Sequence, residues 1–200
     1  METPDLWTME DAYRAQGVRF LCGADEAGAG PLAGRVYAAA VILPLRLELP
    51  WLNDSKKVAP KRREILYDQI TQGAVAWAVS WAEVEEIDQM NILNARLLAM
   101  ERAIQALDPP ADFALVDGNR SAGITVPHET VIKGDGRSAS IAAASILAKV
   151  SRDRYMMEMA AQYPQYEFQR HKGYPTKLHY ARLREFGPCP IHRRTFLKNL

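Results

Sequence analysis

Three times along this 200-residue chain an apolar run stops on a carboxylate with glycine close behind. Val18 to Ala24 leads into Asp25 and Glu26, with Gly28, Gly30, Pro31 and Gly34 beyond. Phe113 to Val116 leads into Asp117 and Gly118, and Val131-Ile-Lys-Gly leads into Asp135 and Gly136. Short apolar runs bounded by glycine read as buried strands. Turn chemistry explains any one of these acids but not the repeat. Strands of one sheet whose ends lie side by side bring Asp25, Glu26, Asp117 and Asp135 together, and clustered carboxylates repel unless cations hold them. Hard divalent ions with oxygen ligands are the natural counter-charge. Two such ions, roughly 4 Å apart, activate a water and stabilise the leaving oxygen in phosphodiester hydrolysis.

The segments between the acids predict a sheet with helices around it. Arg35 to Leu43 is apolar on both alternating faces and reads as a central strand paired with the first. Pro60 opens a helix to about Gln72 with Ile65, Leu66 and Ile70 inward. Ala74 to Trp81 alternates small and large residues, which predicts a third strand packed on its Val75, Trp77, Val79 and Trp81 face. Leu93, Leu97, Met100, Ile104 and Leu107 make one helical stripe over Ile92 to Leu107, and an alanine-rich helix spans Ser140 to Gln162. Along that last helix Lys149 and Arg152 are expected at a solvated edge or facing a ligand.

Two groups of residues have the chemistry of phosphate and sugar binding. Glycines 28 and 30, flanking Ala29, let backbone N–H groups approach a ligand, and Ser55, Lys56 and Lys57 offer a hydroxyl and cations just ahead of a helix start. The tail carries His171-Lys-Gly-Tyr-Pro175 and His192-Arg-Arg-Thr-Phe196, basic clusters interleaved with aromatics, in which Tyr174 is a candidate stacking platform.

Residues 1–130 carry 12 Lys/Arg against 19 Asp/Glu, whereas residues 131–200 carry 13 against 5. An acidic part suited to metal beside a basic part suited to a polyanion backbone fits a nucleic acid substrate. The 48% apolar content fills a substantial core for one domain. No apolar run approaches the ~20 residues of a membrane span and the start is polar, so a cytoplasmic location without membrane association is expected. Cys22 and Cys189 are expected as reduced thiols, and the four histidines lack the paired spacing of a zinc site.

Six ordered stretches together resemble the ribonuclease HII (type 2 ribonuclease H) family: Asp25-Glu-Ala-Gly with Gly30-Pro-Leu-Ala-Gly34, Asn53-Asp-Ser-Lys-Lys57, Val116-Asp-Gly-Asn-Arg120, Lys133-Gly-Asp135, Ala143-Ala-Ser-Ile-Leu-Ala-Lys149 and His171-Lys-Gly-Tyr-Pro-Thr176. The resemblance runs from about Phe20 to Phe196. It implies an α/β ribonuclease H-like fold, a mixed five-stranded sheet flanked by helices, with a single catalytic domain whose residues from about 165 to 200 form a helical substrate-binding portion. It implies cleavage of the RNA strand of RNA/DNA hybrids and cleavage 5′ to a ribonucleotide in duplex DNA, leaving 3′-hydroxyl and 5′-phosphate ends, with Mg²⁺ or Mn²⁺; a monomer is the default expectation. Asp25, Glu26, Asp117 and Asp135 take the place of the family's metal-binding acids, and Gly28, Ala29, Gly30, Ser55, Lys56, Lys172 and Tyr174 are the implied substrate contacts. The family's sensor of the ribonucleotide is a Gly-Arg-Gly element, and this chain has Ala29 at its centre, without the arginine's charge and donors. A hybrid-binding protein with weak or lost junction sensing is the alternative expectation.

Overall fold

The computed structural model describes residues 5–197. Helix α1 (Thr8–Ala15) precedes β1 (Leu21–Ala27) and β2 (Val36–Ile42). Helix α2 (Pro60–Gly73) leads to β3 (Ala76–Ala82), α3 (Val84–Met90) and α4 (Ile92–Gln105). Then come β4 (Phe113–Asp117), β5 (His128–Val131), the long α5 (Ala139–Gln162), and the shorter α6 (Phe168–His171) and α7 (Lys177–Phe186). The strands form one mixed sheet in the order β3-β2-β1-β4-β5. Neighbours among β1, β2 and β3 are antiparallel, and β4 and β5 continue parallel to β1. Among the described residues no helix is long and apolar enough to cross a membrane.

Strand β1 lies at the centre and both faces are covered. Cys22, Ala24, Ala38 and Ala40 pack with Ala95, Ala99, Met100 and Ala103 of α4. On the other face Ala39 and Val41 meet Ala143, Ile146 and Leu147 of α5, backed by Leu66 and Ile70 of α2. A Cβ at Gly23 would stand 2.2 Å from the backbone nitrogen of Ile141, so β1 and α5 touch backbone to backbone. The start of α5 is pinned there: Ser138 Oγ accepts from Ile141 N, and buried Glu10 of α1 accepts from the hydroxyls of Ser138 and Ser140 and from Ser140 N. Every first-turn donor satisfied in this way removes an orphan from a buried helix end.

Several expectations are corrected by this packing. β1 does not stop at Ala24. It runs on through Asp25 and Glu26 because Ala39 and Ala38 on β2 continue the ladder, and it ends at Ala27, just before Gly28 with φ +101°. On β3 the packed face is the small one: Ala76, Ala78 and Ala82 are buried, whereas Trp77 and Trp81 are 40% and 39% exposed. Close approach of α4 selects alanine there and leaves the tryptophans at the outer face of an edge strand. Ile65 and Leu93 are likewise exposed, since α2 and α4 bury stripes through Leu66 and Ile70 and through Leu97, Met100 and Ile104.

Strand β5 ends at Val131, before exposed Ile132 and left-handed Lys133, so Asp135 sits in a 3₁₀ turn (Gly134–Gly136) rather than at a strand end. Arg152, His192 and Arg193 are neither solvated nor open to a ligand; all three are buried. The region from Pro164 onward is helical and packs Tyr166, Phe168 and Leu183 against Leu32, Ala33, Tyr155 and Met156.

Candidate active site

Asp25 and Asp117 occupy adjacent parallel strands one residue beyond the paired Ala24 and Val116, which places both on the α5 face. Glu26 points to the opposite face by alternation, towards α4, where Arg96 Nη1 donates to its Oε1 at 3.0 Å. At the strand end the faces converge, and one oxygen from each of Asp25, Glu26 and Asp117 lies within 4.8 Å of the others. Asp117 Oδ1 is fixed by Gly134 N at 2.7 Å, which ties β4 to the turn that carries Asp135. Asp135 stays outside the three-oxygen group but within its field, beside Asp54, Asp117 and Lys56.

Burial, then the negative charge of Glu26 and Asp117, holds the Asp25 carboxyl well above the usual carboxylate range. Glu26 is also raised, mainly by burial, against the opposing pull of Arg96. Asp135 is raised by burial and by Asp54 and Asp117. Burial lowers the Lys56 ammonium, but Asp54, Asp25, Asp135 and Glu26 outweigh it and the net shift is upward. Among the described residues Glu26 Oε2 is buried without a hydrogen-bond partner. A hard cation satisfies both conditions, since it neutralises the repulsion and gives the orphan oxygen a ligand role, so the donor set fits a hard divalent cation.

Asp25 and Glu26 open into a cleft of about 300 Å³ that is also lined by Gly28, Ala29, Gly30, Ser55, Lys56, Lys149 and Tyr174. Gly28 admits no side chain, because a Cβ there would fall 2.1 Å from Arg152 Nε. Tyr174 is 39% exposed with its ring edge over Gly30. Ser55 and Lys56 sit in a turn closed by Asp54, whose Oδ1 accepts from Lys56 N and whose carbonyl accepts from Lys57 N. Lys172 is not brought to the cleft: its ammonium donates to Gln169 O at 2.7 Å and lies beside Met157 Sδ. The spacing of the chain carries no signal for Arg96, on a helix that reads as core, or for the burial of Arg193, which lies in a basic cluster that reads as phosphate-binding.

Three of the four histidines cluster behind Tyr174, which their separation in the sequence does not suggest. His171 and His179 are ring on ring at 4.4 Å. Cys189 N donates to His192 Nδ1 at 2.9 Å, the two Nε2 atoms of His192 and His179 are 3.0 Å apart, and His179 Nδ1 lies 3.0 Å from Tyr174 O. A carbonyl only accepts, so the donors run from Cys189 through His192 and His179 to Tyr174 with both rings neutral. Burial pushes His179 and His192 down to about 4, and lowers His171 as well. The unfolded chain takes up these protons near the usual histidine pKa and the folded chain only near 4. The cluster's contribution to stability is therefore present above about pH 6.5 and lost as pH falls towards 4. We expect NMR titration to find the His179 and His192 rings uncharged at pH 5.5; a charged ring in the folded protein at that pH would refute the relay.

The family model for ribonuclease HII matches residues 22–199. Ribonuclease HII of Caldicellulosiruptor saccharolyticus is 48% identical over 98% of this chain and 96% of its own length. That of Dechloromonas aromatica is 56% identical over 90% and 91%. The crystal structure of ribonuclease H2 from Pyrococcus horikoshii superposes with a TM-score of 0.72 at 26% identity, covering 88% of this chain and 93% of that one. With its ribonuclease H-like sheet, its acid cluster and full-length relatives at this level of identity, the chain belongs to the ribonuclease HII family of metal-dependent ribonucleases.

Proposed function

We propose that the protein is an endoribonuclease that hydrolyses the RNA strand of RNA/DNA hybrids and cuts 5′ to a ribonucleotide embedded in duplex DNA. The observation that carries this reading is the three-acid oxygen cluster, two of whose acids, Asp25 and Glu26, open onto a cleft lined by residues 28–30, Lys56 and Tyr174. A hard-cation site lies next to backbone amides, an ammonium and an aromatic ring, which is what a sugar-phosphate at the point of hydrolysis requires.

In this reading Asp25, Glu26, Asp117 and Asp135 hold Mg²⁺ or Mn²⁺. Bound in a pair, such ions lower the pKa of an attacking water and stabilise the leaving oxygen, giving 3′-hydroxyl and 5′-phosphate ends. Arg96 holds Glu26 Oε1 so that Oε2 stays free for the cation. Lys56 offsets phosphate charge, Ser55 borders the same turn, and the amides of residues 28–30 together with Tyr174 read the 2′-hydroxyl that separates RNA from DNA. Binding depends on salt through the lysines. The chain acts as a single catalytic domain and a monomer in the cytoplasm, with the helical portion from about 165 to 200 shaping the substrate side.

The test is cleavage of end-labelled duplex DNA containing one ribonucleotide, beside a long hybrid and an all-DNA duplex, in Mg²⁺ and in Mn²⁺. We expect one cut 5′ to the ribonucleotide, cleavage of the hybrid and an intact all-DNA duplex. Ala29→Arg adds a charge-assisted phosphate contact and is expected to lower KM on the order of tenfold. Tight hybrid binding with no product in either metal would favour the non-cleaving alternative, and a cut all-DNA duplex a different nuclease.

A further inference from the structure

Arg193 lies near the end of the chain, is 0% exposed, and among the described residues forms no ion pair with a carboxylate. Its guanidinium is spent on one stretch of backbone. Nη2 donates to Gly28 O at 2.7 Å and Arg35 O at 3.3 Å, Nη1 to Pro31 O at 2.8 Å and Ala29 O at 3.1 Å, and Nε to Gly34 O at 2.9 Å. Its own N–H donates to Leu32 O. Burying an unpaired cation costs heavily unless every donor is satisfied, and burial together with nearby Arg152 pushes Arg193 down to about 9. A position so costly, solved entirely with carbonyls of the cleft loop, has a consequence for the other side of those peptides.

A trans peptide sets its N–H opposite its C=O. With the carbonyls of Gly28 and Ala29 turned inward onto Arg193, the N–H groups of Ala29 and Gly30 are turned away from it. Among the described residues neither N–H, nor that of Gly28, donates to a protein acceptor, although Leu32 and Gly34 further along donate to Gly173 O and Ile191 O. All three residues line the cleft beside Asp25, Glu26 and Tyr174.

We propose that Arg193 is the positioning residue for substrate discrimination: it reaches from the C-terminal segment to hold the 28–35 loop so that the amides of Ala29 and Gly30 face the ribose and phosphate of the strand being cut. The proposal rests on the reading of the site given above. It also explains how a loop with alanine between its glycines keeps its reading surface, because the preorganisation lies in the backbone and in Arg193 rather than in a side chain of the loop. Arg193 touches no substrate; it acts through the loop.

The test compares wild type, Arg193→Lys and Leu183→Ala on the single-ribonucleotide duplex and the long hybrid in Mn²⁺, with melting curves and Mn²⁺ titrations of each protein. Lysine keeps the charge but cannot serve five carbonyls. Leu183→Ala loosens the same C-terminal module by packing alone, because Leu183 shares an apolar cluster with Leu32 and Ala33 but its side chain makes no hydrogen bond to the loop carbonyls. For Arg193→Lys we expect kcat/KM on the single-ribonucleotide duplex to fall at least tenfold, chiefly through KM, and several-fold more than on the hybrid, with Mn²⁺ affinity unchanged. Leu183→Ala should lose stability and keep the wild-type ratio between the substrates. An Arg193→Lys protein that is folded and keeps that ratio overturns the proposal. Should Arg193→Lys fail to fold, amide spectra of wild type titrated with hybrid in Ca²⁺ decide: the Ala29 and Gly30 resonances must shift, and their indifference overturns it. Wild type that cuts neither substrate would instead bring down the reading of the site, and this inference with it.

Discussion

Asp25→Asn is expected to lower cleavage of a single-ribonucleotide duplex by about 10³-fold or more while raising the melting temperature of the metal-free protein at neutral pH. The first effect follows from removing a charged oxygen from the cluster that holds the catalytic cation. The second follows from the direction of the Asp25 shift. An acid whose folded pKa lies above its unfolded value costs the fold most above the folded pKa, and that cost disappears as pH falls below the unfolded value. Asparagine keeps the oxygen that accepts from Glu26 N and discards the charge, so the fold gains what the site loses. Saturating Mn²⁺ should reverse the order, stabilising wild type by about 2.7 kcal/mol at a hundred times its dissociation constant and the variant hardly at all. Melting curves in chelator and in Mn²⁺ beside single-turnover cleavage read both effects. A variant still stabilised by Mn²⁺, or retaining a tenth of the activity, would remove Asp25 from the metal site.

Gly23→Ala is the largest stability effect we expect from a single methyl group. The added Cβ would stand 2.2 Å from the nitrogen of Ile141 and from the carbonyl carbon of Ser140, both backbone atoms with no rotamer to yield. The start of α5 cannot drift to relieve the clash, because Glu10 and Ser138 hold it in place. A loss of about 3 kcal/mol, the upper part of the overpacking range, corresponds to a fall in melting temperature of roughly 6–12 °C for a chain of this size. Gly136→Ala, where a Cβ meets nothing within 4 Å, serves as the control and should melt within about 0.5 kcal/mol of wild type. Because β1 carries Asp25 and Glu26 two and three residues on, displacement of α5 should also weaken Mn²⁺ binding; a Gly23→Ala protein with wild-type melting would contradict the backbone contact.

The sequence by itself determined the family and the local patterns from which the candidate site is built. Strand character, the acids Asp25, Glu26 and Asp117, the glycine loop and Tyr174 are all local patterns, since periodicity, turn residues and charge can be read within a window of a few residues. The order of six such patterns was enough to point to a family. What the tertiary structure decided is everything that depends on a distant partner. Whether tryptophan or alanine faces the core of β3 was settled by how near α4 comes, and whether Asp135 joins the other acids was settled by the path after β5. Arg193 read as a phosphate-binding cation because a basic tail with aromatics is ordinarily solvated, whereas its partners are carbonyls about 160 residues earlier in the chain. The histidine relay is not legible in the sequence for the same reason: a hydrogen bond between His179 and His192 that ends on Tyr174 leaves no spacing in the chain. Local chemistry is written in order along the sequence, and the pairing of buried charges is written only in the fold, because burial makes a partner obligatory without making it near.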